Sequence, residues 1–238
     1  MIPILINCRD RYTWTRDAAE ACRNLPQPDT GQPTPVILVD NASTHPPLLE
    51  WYRWLDQHPE AHITVHRLGQ NLGPRAPWSV PLPPATTHFV VTDPDLELVT
   101  LPGDTLLQLR QALALHPQMV KVGTALRIDD LPDTSVATTA KAGETRYWGN
   151  PYLDGQGLTW WIAPIDTTFA MYRTAPPHAM YEPALRLDGK TGEYQVRHLP
   201  WYIQPDAVPE EERYYLAHAE RLHELYYTPR LLHTLAGK

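Results

Sequence analysis

The feature that most constrains the fold is an alternation, over the first half of the chain, of short apolar runs with longer amphipathic segments. The continuous apolar runs begin at Ile2 and Pro35, and further strand-like segments begin at Ile63 and Thr87. Runs of about four to eight such residues are typical of strands buried on both faces, and their alternation with helical segments is typical of a parallel sheet. We therefore predict an α/β fold, with a mostly parallel sheet that carries helices on both faces.

The remaining elements are predicted from the periodicity of apolar residues and from the residues that interrupt it. Strands are predicted over residues 2–7, 35–40, 63–68, 87–93, 120–128 and 167–173. Helices are predicted over residues 10–24 (with Thr13 or Thr15 as the cap), over 47–57, after Asp104 and over 210–227. Residues 130–160 are expected to form a long loop with a short hairpin. The chain shows no internal repeat and no flexible linker, so we predict one domain over residues 1–238.

Polar side chains follow each of the first four predicted strands. They are Asn7, Arg9 and Asp10, then Asp40, Asn41 and Ser43, then Asn71 and Gly73, and finally Asp93 and Asp95. Open α/β sheets bind their ligands outside the carboxyl ends of the strands. Four consecutive strands thus deliver polar groups to one edge, which predicts a ligand site there.

Four pieces of this sequence, ILINCRDR, ILVDNAST, RLGQNLG and VVTDPDLEL, resemble in order and spacing the family 2 glycosyltransferases and their GT-A relatives. They cover residues 2–98, and the later pieces IDTTFAMYR and RHLPWY resemble parts of a bacterial GT-A subgroup. The resemblance implies a GT-A fold and a metal-dependent enzyme. It would move a sugar from a nucleotide-diphosphate donor, with a UDP-sugar favoured, to a hydroxyl of a saccharide or other acceptor, with inversion. Residues 1–98 would form the donor-binding half, and residues 99–238 the acceptor-side half with a C-terminal helix.

The Asp93-Pro94-Asp95 segment is the candidate metal site. Two carboxylates two residues apart can reach one hard divalent cation, either Mn²⁺ or Mg²⁺, and the sugar diphosphate would complete its coordination. Such a cation acts as a Lewis acid on the departing phosphate. The resemblance implies that Asp95 is the direct ligand and that Asp93 contacts the sugar or ribose, or the metal through water. It also implies a late histidine ligand, for which His198 is the candidate.

The resemblance further implies a set of residues around the nucleotide. In it, Asp40 would hydrogen-bond the base or ribose, and Arg75 would pair with a phosphate. The full set is Arg9, Asp10, Asp40, Asn41, Asn71, Gly73, Arg75 and Asp93.

The acceptor half is matched less completely. An inverting enzyme needs a base for the acceptor hydroxyl, and Asp166 is the candidate, with Glu182 as the alternative. The second half lacks the Glu-Asp pair and the QxxRW motif of family 2 enzymes. Four aromatic residues are candidates either for stacking on an acceptor sugar or for packing: Trp148, Tyr152, Trp160 and Trp161.

Structural interpretations of the same residues stay open. The Asp93-Pro94-Asp95 segment also fits a turn, and Asp40 also fits a strand-end cap. His198 and Asp166 also fit a structural histidine and a loop carboxylate. The Arg9-Asp10-Arg11 triplet also fits a solvated cluster of ion pairs.

Charge and composition separate the alternative functions. The net charge of −7 disfavours a nucleic-acid acceptor, because nucleic-acid binders carry a basic footprint. A nucleotidyltransferase usually has a glycine-rich loop after its first strand, and NCRDRYTW has no glycine. A non-catalytic nucleotide-sugar-binding protein remains as a third alternative. No apolar run approaches the roughly 20 residues of a membrane span, and no signal peptide is recognised, so a cytoplasmic location is expected.

Overall fold

The computed structural model describes residues 1–166, 168–174 and 184–219. Within them the strands are β1 (Ile4–Cys8), β2 (Val36–Asp40), β3 (Ile63–Arg67), β4 (His88–Thr92), β5 (Lys121–Thr124), β6 (Pro151–Leu153), β7 (Thr159–Ile162), β8 (Ala170–Arg173) and β9 (Leu185–Gly189). The α-helices are α1 (Tyr12–Asn24), α2 (Pro46–Gln57), α3 (Thr105–Leu115), α4 (Ser135–Thr145) and α5 (Glu210–His218). Short 3₁₀ helices lie at Pro59–Ala61, Gly73–Ser79, Leu98–Thr100 and Leu199–Tyr202.

The nine strands form one sheet in the order β3-β2-β1-β4-β8-β5-β9-β7-β6. The first four sheet positions, β3-β2-β1-β4, are all parallel, as expected from the alternation in the first half. Beyond β4 the sheet becomes mixed, because β8 runs antiparallel to both β4 and β5. The α/β fold class is therefore confirmed, with a parallel half and a mixed half.

Helices cover both faces of the sheet. One face packs against α1, α2 and α3, whose apolar side chains join a core cluster with Ile4, Leu38 and Val122. On β9, Leu187 belongs to that core, so Arg186 points to the opposite face. There the Arg186 guanidinium pairs with Glu144 of α4 at 2.7 Å. The first core cluster contains side chains from both halves of the chain.

The region 130–160 was predicted incorrectly in part. The hairpin is present as β6 and β7, but α4 replaces the preceding loop. Its threonines are poor helix formers, which hid it from a pattern-based prediction. Thr134 caps the helix by accepting a hydrogen bond from the Ala137 amide at 3.1 Å, and packing of its apolar side stabilises the rest.

Other boundaries also differ from the predictions. The strand predicted over 120–128 ends at Thr124, and the one predicted over 167–173 begins at Ala170. The strand β9 was missed. The C-terminal helix begins at Glu210 as predicted, but it ends at His218, with Ala219 extended, rather than continuing to residue 227. Residues 220–227 lie outside the described residues. None of the helices in the described ranges has the length and apolar character that a bilayer crossing requires.

Candidate functional site

The carboxyl ends of the parallel strands meet at one edge of the sheet. Cys8 at the end of β1 is in register with Asp40 at the end of β2, and Ile6 is in register with Thr92 of β4. The polar residues that follow these strands are therefore neighbours in space, as the strand-end rule requires.

Asp10 connects the first strand end to the second. Its backbone is left-handed, with φ of 53°, a conformation that aspartate tolerates better than most residues. Its Oδ1 accepts hydrogen bonds from the amides of Thr44 (2.5 Å) and His45 (2.9 Å), at the start of α2. Its own amide donates to Ser43 Oγ at 3.0 Å. Asp10 is buried and caps α2 through Oδ1, while its Oδ2, 3.8 Å from Arg9 Nε, has no hydrogen-bond partner among the described residues.

Asn41 joins the ends of β1 and β2 to the loop after β3. Its Nδ2 donates to Asn7 Oδ1, and its Oδ1 accepts from the Leu72 amide at 2.9 Å. The Asn7 side chain in turn donates to the carbonyl of Gly73 at 3.4 Å. This network brings the loop after β3 to the ends of β1 and β2.

The loop after β3 presents its other candidates to solvent. Asn71 is exposed and its Oδ1 accepts from the Gly73 amide at 2.9 Å. Gly73 has φ of 64°, which glycine adopts without the steric cost that other residues carry. Arg75 is exposed in the following 3₁₀ helix, where a guanidinium is accessible to an anionic ligand.

The carboxylate of Asp40 is turned into the protein. It is 4% exposed. It accepts from the Ser43 amide at 3.3 Å and from the Tyr52 hydroxyl at 3.3 Å. Burial raises the pKa of the Asp40 carboxyl, because a low-dielectric environment disfavours the charged form. These contacts are those of a strand-end cap, and the nucleotide role of Asp40 remains a prediction.

Asp95, unlike Asp40, has a carboxylate oxygen without a hydrogen-bond partner among the described residues, as Asp10 also has. It is 5% exposed, and its Oδ2 lies 3.2 Å from Arg11 Nη1. Its Oδ1 is buried without a hydrogen-bond partner among the described residues. A buried carboxylate oxygen without a partner is costly, so this atom is available to a ligand. Asp93 is half-buried beside it.

His198 lies next to Asp95 although 103 positions separate them in sequence. A β-bridge joins Leu96 to His198, and the Leu199 amide donates to the Asp95 carbonyl at 2.8 Å. The His198 Nε2 is 3.8 Å from Asp95 Oδ2, and its buried Nδ1 has no hydrogen-bond partner within the described ranges. Burial lowers the pKa of the His198 imidazole, which favours the neutral form that a metal ligand requires.

These residues fit a divalent cation that is shared with a ligand. The described residues hold no group of three or more His, Cys, Asp or Glu side chains that would enclose a metal. Asp95 and His198 together supply at most two protein ligands. Mg²⁺ and similar cations are commonly bound by one or two protein groups together with substrate phosphates, and imidazole is better suited to Mn²⁺ than to Mg²⁺.

The sequence analysis missed Arg11, which directly contacts Asp95, the candidate metal ligand. Besides Asp95, the Arg11 guanidinium binds Glu212 of α5 through Nε (2.7 Å) and Nη2 (2.9 Å). Tyr215 lies under it, with the guanidinium carbon 3.7 Å from the ring centroid. Arg11 is 6% exposed and Asp10 is 1% exposed, so the interpretation of residues 9–11 as a solvated cluster is wrong.

The helix α5 also supplies the cap that was expected within α1. Glu211 Oε2 accepts from the Thr13 amide at 2.6 Å, and a carboxylate at a helix N-terminus is favourable. The predicted caps were wrong, because α1 begins after Arg11 and Thr15 bonds back to the Arg11 carbonyl instead. Arg9 donates to the Asn41 carbonyl and to the His218 carbonyl, both at 3.3 Å.

Of the two candidate bases, the structure describes Asp166 but not Glu182. Asp166 is exposed and lies just before β8. Because β8 runs antiparallel to β4, with Ala170 opposite Val91, the segment before β8 reaches the edge at which β4 ends. The structure therefore places Asp166 on the same edge as Asp93. Glu182 lies outside the described residues.

The four aromatic candidates do not form one surface. Trp160 is buried, donates from Nε1 to Asp154 at 2.9 Å and belongs to the main core, against which Tyr152 packs. Trp161 alternates to the opposite face, where its ring centroid is 5.1 Å from that of Trp148. Packing thus accounts for Trp160 and Tyr152, and only Trp148 and Trp161 form a pair.

Comparison with known proteins yields structural matches alone: no family model and no curated protein sequence matches the chain. One similar structure is the mannosyltransferase PcManGT from Pyrobaculum calidifontis, in complex with GDP-Man and Mn²⁺. It is 18% identical, with a TM-score of 0.51 over 99% of this chain and 74% of that one. The S. aureus TarS fragment 1–349 is 11% identical, with a TM-score of 0.48 over 99% and 70%.

Glucosyl-3-phosphoglycerate synthase from Mycobacterium tuberculosis is a more distant match, 12% identical with a TM-score of 0.38, over 73% of this chain and 56% of that one. The match to the mannosyltransferase spans nearly the whole chain. It confirms the expected fold: the chain has the GT-A-type fold of nucleotide-sugar transferases.

Proposed function

We propose that this protein is a metal-dependent glycosyltransferase, which moves a sugar from a nucleotide-diphosphate donor to an acceptor hydroxyl. The observation that carries the proposal is the buried Oδ1 of Asp95, which has no hydrogen-bond partner among the described residues and lies beside the imidazole of His198 near the end of β4. The GT-A-type fold supports it, as does the mannosyltransferase of that fold that holds GDP-Man and Mn²⁺. In this proposal residues 1–238 form one domain, whose first 98 residues bind the donor.

In the proposed site, Asp95 and His198 hold Mn²⁺ or Mg²⁺, and Asp93 lies beside them to contact the donor. The bound cation would neutralise charge on the departing diphosphate. The exposed guanidinium of Arg75 is available for a phosphate oxygen. Asn41 keeps the loop after β3 against the strand ends, so that Asn71, Gly73 and Arg75 remain near the donor. Arg9, Asp10 and Asp40 act in this proposal by fixing the backbone of the nucleotide pocket.

Asp166 is the proposed base. It lies at the same sheet edge as Asp93 and is exposed to solvent, so an acceptor hydroxyl can approach it. A base opposite the leaving group leads to inversion. The pair Trp148 and Trp161 is the remaining aromatic candidate for an acceptor saccharide.

The test is a panel of UDP-, GDP- and dTDP-sugars, measured with and without Mn²⁺ by thermal unfolding and by release of nucleoside diphosphate. A ligand at a hundredfold excess over its dissociation constant should stabilise the native state by about 2.7 kcal/mol. We expect stabilisation and release for one donor, only with the metal. Absence of both for every donor would refute the proposal. Metal-dependent binding without release on any acceptor would indicate a non-catalytic nucleotide-sugar-binding protein instead.

A further inference from the structure

Arg11 and Glu212 form a buried ion pair directly against the proposed metal ligand. The carboxylate of Glu212 is fully buried, and the guanidinium of Arg11 is nearly so. Glu212 receives two hydrogen bonds from this guanidinium. The remaining terminal nitrogen, Nη1, contacts Asp95 Oδ2. One guanidinium thus joins helix α5 to the end of β4.

Stability alone is a weak explanation for such a pair. Desolvation of two charges offsets most of their attraction, and apolar replacements of buried ion pairs are often neutral or stabilising. The position of this ion pair beside Asp95 offers a better explanation for its presence. Arg11 occupies one oxygen of Asp95 and leaves the other, Oδ1, without a partner. The contact therefore fixes the orientation of the carboxylate while it keeps one oxygen for a ligand.

The charges show why Glu212 is needed as well. A guanidinium next to Asp95 would, by itself, neutralise that carboxylate and repel a dication. Glu212 supplies a second negative charge to Arg11, so that the group of Arg11, Asp95 and Glu212 keeps a net charge of −1, from one positive and two negative side chains. The planar guanidinium suits this task because it can serve two carboxylates at once.

We propose that Arg11 and Glu212 are positioning residues for the metal ligand Asp95: Arg11 fixes one carboxylate oxygen, and Glu212 offsets the charge of Arg11 so that the other oxygen can bind a divalent cation. This inference rests on the proposed function. It also makes the metal affinity depend on α5, since Glu212 lies in the first turn of that helix.

The chain offers a matched control on the same helix. Glu211 is also buried and also accepts a short hydrogen bond, but from the Thr13 amide rather than from Arg11. Glu211→Gln and Glu212→Gln therefore remove the same charge from adjacent positions. Glu212→Asp keeps the charge beside Arg11 but shortens the side chain, which weakens the two-point contact.

The experiment titrates Mn²⁺ into each full-length variant, in the presence of UDP and separately of GDP and of dTDP, and follows free Mn²⁺ by electron paramagnetic resonance. Thermal unfolding of each variant checks that it is folded. We expect Glu212→Gln to weaken Mn²⁺ binding about tenfold, equal to about 1.4 kcal/mol. Glu211→Gln should leave Mn²⁺ binding unchanged, and Glu212→Asp should bind Mn²⁺ more tightly than Glu212→Gln.

Equal Mn²⁺ affinity of the two glutamine variants, with a wild type that binds the ion, would overturn the inference and leave the proposed function intact. The same holds if Glu212→Asp binds Mn²⁺ as weakly as Glu212→Gln, since only the geometry of the contact would then matter. A wild type that binds no Mn²⁺ with UDP, with GDP or with dTDP would instead overturn the proposed function, and the inference with it.

Discussion

The ends of β2 and β4 carry similar carboxylates that are used in different ways. Asp40 and Asp95 are both buried, at 4% and 5% exposure; Asp40 is the last residue of β2, and Asp95 lies shortly after β4. Asp40 accepts hydrogen bonds from Ser43 in the turn after β2 and from Tyr52 in α2. Asp95 has one oxygen bound by Arg11 and one without a partner. Asp40 is thus a structural cap, whereas Asp95, which also lies beside His198, is a candidate ligand.

The largest expected difference concerns turnover. Asp95→Asn should lower metal-dependent release of nucleoside diphosphate by about a hundredfold or more, because an amide is a poor ligand for a cation that offsets diphosphate charge. Asp40→Asn should lower it by less than about tenfold, since its partners are internal. Steady-state assays on both variants, with circular dichroism to check folding, make the comparison. Equal losses would contradict it.

The second difference concerns histidines at the two strand ends. His198→Ala should weaken Mn²⁺ binding by about tenfold, while Asp95 retains the ion. His45 is a matched control, since its Nδ1 is likewise buried without a hydrogen-bond partner in the described part of the chain, yet it packs on Tyr214 rather than beside Asp95. Calorimetric titration of Mn²⁺ should give the wild-type affinity for His45→Ala. A loss of Mn²⁺ affinity in His45→Ala as large as in His198→Ala would show that general destabilisation is the cause.

A smaller effect is expected on stability at the β2 end. Asn41→Ala removes the side chain that joins Asn7 to the Leu72 amide, and should lower the free energy of unfolding by about 1–3 kcal/mol. The exposed Asn71, with its single local bond to Gly73, should change it by less than about 0.5 kcal/mol when replaced by alanine. Urea unfolding of both variants measures the difference. Similar free energies of unfolding would show that Asn41 does not tether the loop after β3.

The smallest effect is a pH dependence due to Asp40. Because burial raises the pKa of Asp40 in the folded protein, the folded state holds this proton more tightly than the unfolded state does. The associated stability is complete below the ordinary pKa of 3.8 and is lost as pH rises through the folded value. Asp40→Asn has no such loss, so the stability of wild type relative to this variant should fall from acidic to neutral pH. A difference in stability between wild type and Asp40→Asn that stays constant with pH would contradict the burial of a titrating carboxyl at position 40.

The sequence was most informative where the pattern is local. The buried strands β1, β2 and β4 contain continuous apolar runs, whereas β3 (ITVHR) alternates and is partly exposed. The polar residues after these strands lie at one edge as expected. The proximity of His198 to Asp95 was implied by resemblance alone, because no local pattern reveals a bridge between Leu96 and His198. The missed helix α4 is rich in threonine, and its stability depends on tertiary packing that propensity does not describe.

The contribution of α5 to the site could not be predicted for a related reason. Its first turn carries Glu210, Glu211 and Glu212, a charged run that normally indicates a solvated surface. The two buried members find their partners on α1 and just before it, about 200 positions away. The only signal in the sequence was the arginine at position 11, directly after the strand-end residues Arg9 and Asp10.

The most direct test of the account is a crystal structure of the full chain soaked with Mn²⁺ and the nucleoside diphosphate that stabilises it, with anomalous diffraction recorded to locate manganese. The account predicts an anomalous peak within bonding distance of Asp95 Oδ1, with His198 as the second protein ligand and diphosphate oxygens completing the coordination. A peak at another part of the molecule, or a bound nucleotide away from the end of β4, would contradict it.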